Sequence, residues 1–152
     1  MSFANPENAN IDMLDAIDAA FAPSATSAFT ADTPPGTVVS GSITSVDMRQ
    51  ARDFNTGNPA VFADGRPKNE VVVRVSTPAG EKAIYIKTWG RDRNALSAAV
   101  GAAGLSKVSE ALRPGNMLAV RFNGKKSAKT DRGEAYEYRD YEYRIETAAG
   151  VN

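Results

Sequence analysis

The chain predicts a mainly β fold: a small five-stranded barrel with a helix between its third and fourth strands, preceded by a flexible N-terminal leader. Three observations lead there. From Gly36 onward, five runs alternate apolar and polar side chains, the period of a strand with one buried and one wet face. One stretch, residues 92–103, switches to helical spacing, and it falls after the third run. Residues 1–35 are rich in Ala, Ser, Thr, Asn and Pro and close on Thr33-Pro34-Pro35-Gly36, which reads as a leader ending in a turn.

The first strand spans Gly36 to Met48 and is broken by Gly41, suiting a strand that bends to serve both halves of a barrel. A loop of 20 residues, Arg49 to Lys68, follows, and loops that long are usually functional or disordered. Glu70 to Thr77 is the second strand, with Val71, Val73 and Val75 on one face and Val72 and Arg74 on the other. Pro78-Ala79-Gly80 turns the chain into the third, Glu81 to Trp89, where Ile84 and Ile86 oppose Tyr85, Lys87 and Trp89. Asp92 to Ala103 is the helix, with Leu96, Ala99, Val100 and Ala103 on one face and Gly104 as its stop. After a short turn at Ser106 to Leu112, the fourth strand covers Asn116 to Asn123 with Leu118, Val120 and Phe122 inward. A basic hairpin tip, Gly124 to Gly133, leads to the last strand, Glu134 to Glu146. Three strands, a helix and two strands is the order of the OB-fold, a five-stranded Greek-key barrel that binds oligonucleotides on its second and third strands and two loops. The domain therefore covers residues 36–147, with 1–35 as leader and 148–152 as a C-terminal tail.

With 152 residues the chain has room for one core. It has neither Cys nor His, which excludes disulfides, thiolate and imidazole metal sites, Cys nucleophiles and Ser-His-Asp triads. No cofactor and no catalysis are expected. No apolar run approaches a membrane span and no signal peptide opens the chain, so a cytoplasmic protein with no membrane partner is expected. Formal net charge is zero, yet the leader holds five acids (Glu7, Asp12, Asp15, Asp18, Asp32) and no base. The remainder carries 18 bases against 13 acids, a net of +5, which suits a polyanionic partner.

Binding a single strand without strong sequence preference takes aromatic surfaces for bases and cations for phosphates. Tyr85, Lys87 and Trp89 alternate outward on the third strand, Arg74 lies on the second, and Arg91 and Arg93 follow directly. For Trp89 the competing reading is a core cap at the strand end. Arg49, Arg52, Phe54 and Lys68 in the long loop, and Lys125, Lys126, Lys129 and Arg132 at the hairpin tip, supply charge and one more ring. Such charge runs equally describe solvated loops that keep sheet edges apart. Tyr136 and Tyr138 share a face of the last strand opposite Tyr141, Tyr143 and Ile145, unless a bulge near Asp140 brings all four tyrosines together.

Several stretches resemble the OB-fold single-stranded DNA-binding proteins of tailed bacteriophages: Gly36-Thr-Val-Val-Ser-Gly-Ser-Ile43, Ala63-Asp-Gly-Arg-Pro-Lys68, Gly80-Glu-Lys-Ala-Ile-Tyr-Ile-Lys87, Leu96-Ser-Ala-Ala-Val-Gly-Ala-Ala-Gly104 and Arg113-Pro-Gly-Asn-Met-Leu118. The likeness, one of element order and texture, runs from Gly36 to Glu146. It implies non-catalytic protection of single-stranded intermediates in phage DNA replication and recombination, in the host cytoplasm, by a monomer or a homodimer. Many such proteins end in an acidic tail, whereas Thr147 to Asn152 carries no acidic side chain. The acidic, amphipathic segment lies instead at Ile11 to Phe21, capped by Asn10, with Ile11, Leu14, Ile17 and Phe21 on one face. That segment is expected to dock a replication or recombination protein or to screen the groove.

Three rival readings follow from the same residues. A barrel of this kind can use its aromatic face for a protein, and steep salt dependence separates the two cases. RNA offers the same stacking and phosphates as DNA. Carboxylate and magnesium chemistry would fall to Asp47, Asp53 and Asp64, which lack a spacing that demands a metal.

Overall fold

Val and Ile dominate alternate positions of the strands, and their burial on one side bends the sheet around a single core. The computed structural model of the chain describes residues 25–53 and 56–148, together with Met13, Leu14 and Ile17. Its strands are β1 (Thr26–Ser27), β2 (Val38–Gln50), β3 (Asn69–Thr77), β4 (Gly80–Lys87), β5 (Met117–Lys129) and β6 (Ala135–Glu146). Two helices, α1 (Gly90–Ala102) and α2 (Val108–Ala111), lie between β4 and β5 in the chain. The strands form one sheet in the order β1-β4-β3-β2-β5-β6, curled into a half-barrel. The sheet thus has six strands rather than the expected five, the extra one being the two-residue β1.

β2 holds the two halves together. Its first half, Val38 to Ser42, pairs with β5, and its second, Ser42 to Gln50, pairs with β3. The register shifts between Ile43 and Ser45, and the Thr44 hydroxyl donates to the Arg74 carbonyl at 3.2 Å. Gly41 stands where β2 passes from β5 to β3, and a Cβ there would collide with the carbonyl of Ser76, so the two strands approach closely only because position 41 has no side chain.

The core takes Ile43 from β2, Val73 and Val75 from β3, Ile84 and Ile86 from β4, Leu118 and Val120 from β5, and Tyr143 and Ile145 from β6. Leu96, Ala99 and Val100 of α1 and Ala111 and Leu112 beside α2 complete it. Each fully buried aliphatic side chain contributes about 1.5–3 kcal/mol relative to exposure. α1 ends where Gly104 adopts φ +78° and the Leu105 N–H donates back to the Val100 carbonyl at 3.1 Å, a left-handed stop that satisfies an orphan carbonyl. Asn116, 7% exposed, donates from its side-chain amide to the carbonyls of Glu110 and Ala111 and accepts from the Ala148 N–H, each at 3.0 Å. One buried amide thereby fastens α2 and the chain end to the start of β5.

Order begins ahead of Gly36. β1 runs parallel to β4, with Thr26 beside Lys82 and Ser27 beside Ala83, and the Ala28 N–H donates to the Ala83 carbonyl at 2.8 Å. Phe29 then packs edge-on to Tyr141, ring centroids 5.3 Å apart, and near Phe122. The Arg139 guanidinium donates to the Thr30 carbonyl at 2.8 Å and to the Tyr141 hydroxyl at 2.8 Å, and lies 4.1 Å from the centre of the Phe122 ring. Gly36 and Thr37 finally hydrogen-bond across Phe122 of β5. Among the described residues no ladder joins β4 to β6, and residues 26–37 bridge that side of the half-barrel.

The expected basic tip at Gly124 to Gly133 is shorter in the structure, because β5 continues to Lys129 and β6 begins at Ala135. A bulge stands on β5, between Phe122 and Gly124, not on β6 near Asp140. β6 therefore keeps its alternation, with Tyr136 and Tyr138 opposite Tyr141 and Tyr143. In the amphipathic N-terminal segment, Met13, Leu14 and Ile17 are helical and exposed; Asn10, Ile11, Phe21 and the aspartates at 12, 15 and 18 lie outside the described residues. No helix among the described residues is long and apolar enough to cross a membrane.

Candidate nucleic-acid interface

Strand alternation that sends Val73 and Ile84 inward sends Glu70, Val72 and Arg74 of β3, and Tyr85 and Lys87 of β4, to the opposite side. Register places Tyr85 beside Val72 and Lys87 beside Glu70. Tyr85 remains 38% exposed while Val72, next to it, is covered. From β2, Arg49 reaches across this surface. Its Nε meets the Glu70 carboxylate at 2.7 Å and its guanidinium lies 4.8 Å from the centre of the Tyr85 ring.

Trp89 sits where β4 hands over to α1, in extended conformation as the residue preceding the helix. It is half-buried and outside the core cluster, so it does not cap the core. Its ring meets Phe62 edge to face, centroids 6.2 Å apart, and the ammonium groups of Lys68 and Lys87 lie 5.5 and 5.8 Å from its centre. Phe62 belongs to the long loop, which two isolated bridges, Arg52 with Pro59 and Val61 with Pro67, fold back on itself. An ion pair at 2.6 Å between Arg66 and Asp64 pins its turn. Both the Arg66 N–H and its side chain hold the Asp64 carboxyl below the ordinary aspartate range. The described part of this loop is a wall beside Trp89.

β6 supplies the facing wall. Tyr136 and Tyr138 stand two residues apart with ring centroids 6.1 Å apart. Arg91, in the first turn of α1, lies 4.0 Å from the centre of the Tyr138 ring, and its contact with the Tyr136 hydroxyl holds its guanidinium above the usual arginine value. Between the walls runs an open groove of about 620 Å³ lined by Tyr85, Lys87, Trp89, Arg91, Lys125, Tyr136 and Tyr138 among others. A second hollow of about 680 Å³, lined by Arg49, Arg52 and Lys68, continues it and shares Glu70, Lys87 and Trp89.

The structure thus gathers ten of the residues singled out from the sequence: Arg49, Arg52, Lys68, Tyr85, Lys87, Trp89, Arg91, Lys125, Tyr136 and Tyr138. Others stand apart. Arg74 shares the Tyr85 face but lines neither hollow, and Arg93 is exposed further along α1. Lys126 pairs with Tyr138 across the ladder, while Lys129 and Arg132 lie out toward the hairpin end. Phe54 falls outside the described residues. Sequence reasoning passed over Phe62, Asp92 and Arg139 as site residues. Phe62 carried one usable signal, a ring just ahead of the Asp-Gly-Arg turn in a cationic loop. Asp47, Asp53 and Asp64 form no metal cluster: among the described residues no three acidic side chains converge where a cation would sit.

Tyr85, Trp89 and Tyr138 each have a cation against the ring, an arrangement that suits flat, electron-rich ligands carrying negative charge. No family model, no curated protein and no solved structure matches the chain.

Proposed function

We propose that this protein binds single-stranded DNA largely without sequence preference, stacking bases on Tyr85, Trp89, Tyr136 and Tyr138 and drawing phosphates to Arg49, Arg52, Lys68, Lys87, Arg91 and Lys125. One observation carries the reading: four rings from β4, the α1 start and β6 line one continuous groove, with cations against Tyr85, Trp89 and Tyr138 and with Tyr136 beside Tyr138. Stacking contributes about 1–3 kcal/mol per base and tolerates any base, because every base has a π face. Duplex DNA hides those faces, so a groove built on rings favours unpaired strands. The strand order β4-β3-β2-β5-β6 supports reading the half-barrel as an OB-fold. Together with the resemblance to phage single-stranded DNA-binding proteins, it supports a non-catalytic role in protecting single-stranded intermediates of phage replication and recombination.

The test is a titration of a labelled single strand of about 30 nucleotides, longer than the roughly 4–16 that one OB domain covers. Label anisotropy and tryptophan emission are followed at two salt concentrations against a duplex of equal length and an RNA of the same sequence. Trp89 is the only tryptophan, so emission reports the groove directly. The expected result is preference for the DNA single strand, quenched emission, and affinity that falls with salt at a slope of about −0.7 per phosphate contacted. Absence of binding at low salt would reject the proposal and leave a protein as the partner of the aromatic face.

A further inference from the structure

Of the carboxylates that line the groove, Glu137 is exposed to water, and one half-buried side chain, Asp92, stands outside any ion pair among the described residues. Glu70 is paired with Arg49 at 2.7 Å. Asp92 has no such partner: among the described residues no Lys or Arg lies within ion-pair distance of it. Its Oδ2 accepts a long hydrogen bond, 3.4 Å, from the Lys87 N–H, and no second donor among the described residues reaches it. Asp92 is half-buried and lines the groove with Tyr85, Trp89 and Tyr138. Burial, with the Asp140 charge and against the Lys87 N–H and ammonium, raises its carboxyl above the ordinary aspartate range. Its place in the first turn of α1 makes the charge tolerable. That place does not account for a half-buried carboxylate facing into a groove otherwise suited to polyanions.

Ligand chemistry does account for it. A carboxylate repels phosphate, so the part of a bound strand that meets Asp92 is a base, with its backbone turned toward the surrounding cations. Of the two pyrimidines, cytosine presents an exocyclic N4 amine, the donor that Asp and Glu accept from when they read this base. Thymine presents a carbonyl oxygen at the same place, so two acceptors would face each other.

We propose that Asp92 is a base-reading residue, whose carboxylate accepts a hydrogen bond from the exocyclic amine of a base stacked in the groove, so that the protein favours cytosine over thymine. This rests on the single-strand reading above and adds a compositional preference to it.

The experiment compares oligo-dC and oligo-dT of about 30 nucleotides, long enough to fill the site, at mildly alkaline pH where cytosine is unprotonated. The wild type and Asp92→Asn are both titrated, with thermal melting of each. Wild type binds oligo-dC about fivefold or more tightly than oligo-dT, the low end of discrimination by one good base contact. Asp92→Asn brings the two affinities together. A carboxylate that only supports the helix start would change the melting temperature and leave the affinity ratio alone. An oligomer of N4,N4-dimethylcytosine, which has no amine N–H, tests the wild type even if the variant fails to fold, and it binds as weakly as oligo-dT. Equal wild-type affinities for dC and dT, or a dC preference that persists in Asp92→Asn or in the dimethylated oligomer, would overturn the inference while leaving the single-strand reading standing. Binding to none of the oligomers would overturn both.

Discussion

The two faces of β3 and β4 are built from the same residues in alternation, yet they are held by different forces. On the inner face Val73, Val75, Ile84 and Ile86 are sealed among other aliphatics, and stability there comes from removed apolar area and close packing. One residue along, Arg49 and Glu70, Tyr85 and Lys87 stay in contact with water, joined by an ion pair and a cation over a ring. Such contacts contribute about 0.5–1 kcal/mol each at exposed sites. The contrast teaches that the inner face decides whether the chain folds and the outer face decides what the folded chain touches. Period-two alternation lets the two vary separately.

The sharpest way to break that separation is to cross it. Ile86→Ala should lower folding stability by about 2–5 kcal/mol, the range for large-to-small changes in a sealed core, as read by denaturant melts. The protein that remains folded should bind a single strand as before; a loss of affinity there would mean that the faces are coupled. Tyr85→Ala is the converse. It should weaken single-strand binding by about 1–3 kcal/mol, the stacking contribution of one base, with the melting temperature nearly unmoved. Unfolding of this variant would place Tyr85 with the core. The smallest expected effect belongs to Lys125→Ala, which should leave stability alone and flatten the salt dependence of binding by about 0.7, one phosphate contact on a single strand. An unchanged slope would remove the β5 end of the groove from the path of the backbone.

Alternation made the inner and outer faces of β3 and β4 legible, since Ile84 and Ile86 declare a buried side and so assign Tyr85 and Lys87 to the other. Tyr136 and Tyr138 were assigned a common face on the same ground, and β6 keeps it because the bulge lies on β5. What was hidden depends on partners distant in sequence. Phe29 reads as one ring in a polar leader until Phe122 and Tyr141, from two strands near the far end of the chain, form its seat. Arg139 reads as one charge in a run of charges until Thr30 arrives beneath it. Local composition made Arg49 to Lys68 look like an open loop, because its bridges, Arg52 to Pro59 and Val61 to Pro67, have no periodicity of their own. Asp92 looked like an ordinary first-turn acid, and only the position of β6 across from α1 turns it into part of a groove.

The seat of Phe29 also has a history within the life of each molecule. Thr30 and the Arg139 that holds it are 109 positions apart, and every residue of the seat lies at or beyond Phe122. On a ribosome adding about 5–20 residues per second, the N-terminal stretch emerges and then waits roughly 5–20 s before β6 exists to receive it. From the time β4 is made until β6 follows, the β1 segment on its edge lacks the anchor that Phe29 and Thr30 find on β5 and β6. Newly made chains are therefore most prone to mispairing at this edge, and the last act of their maturation falls to residues made 109 positions ahead of the arginine that secures them.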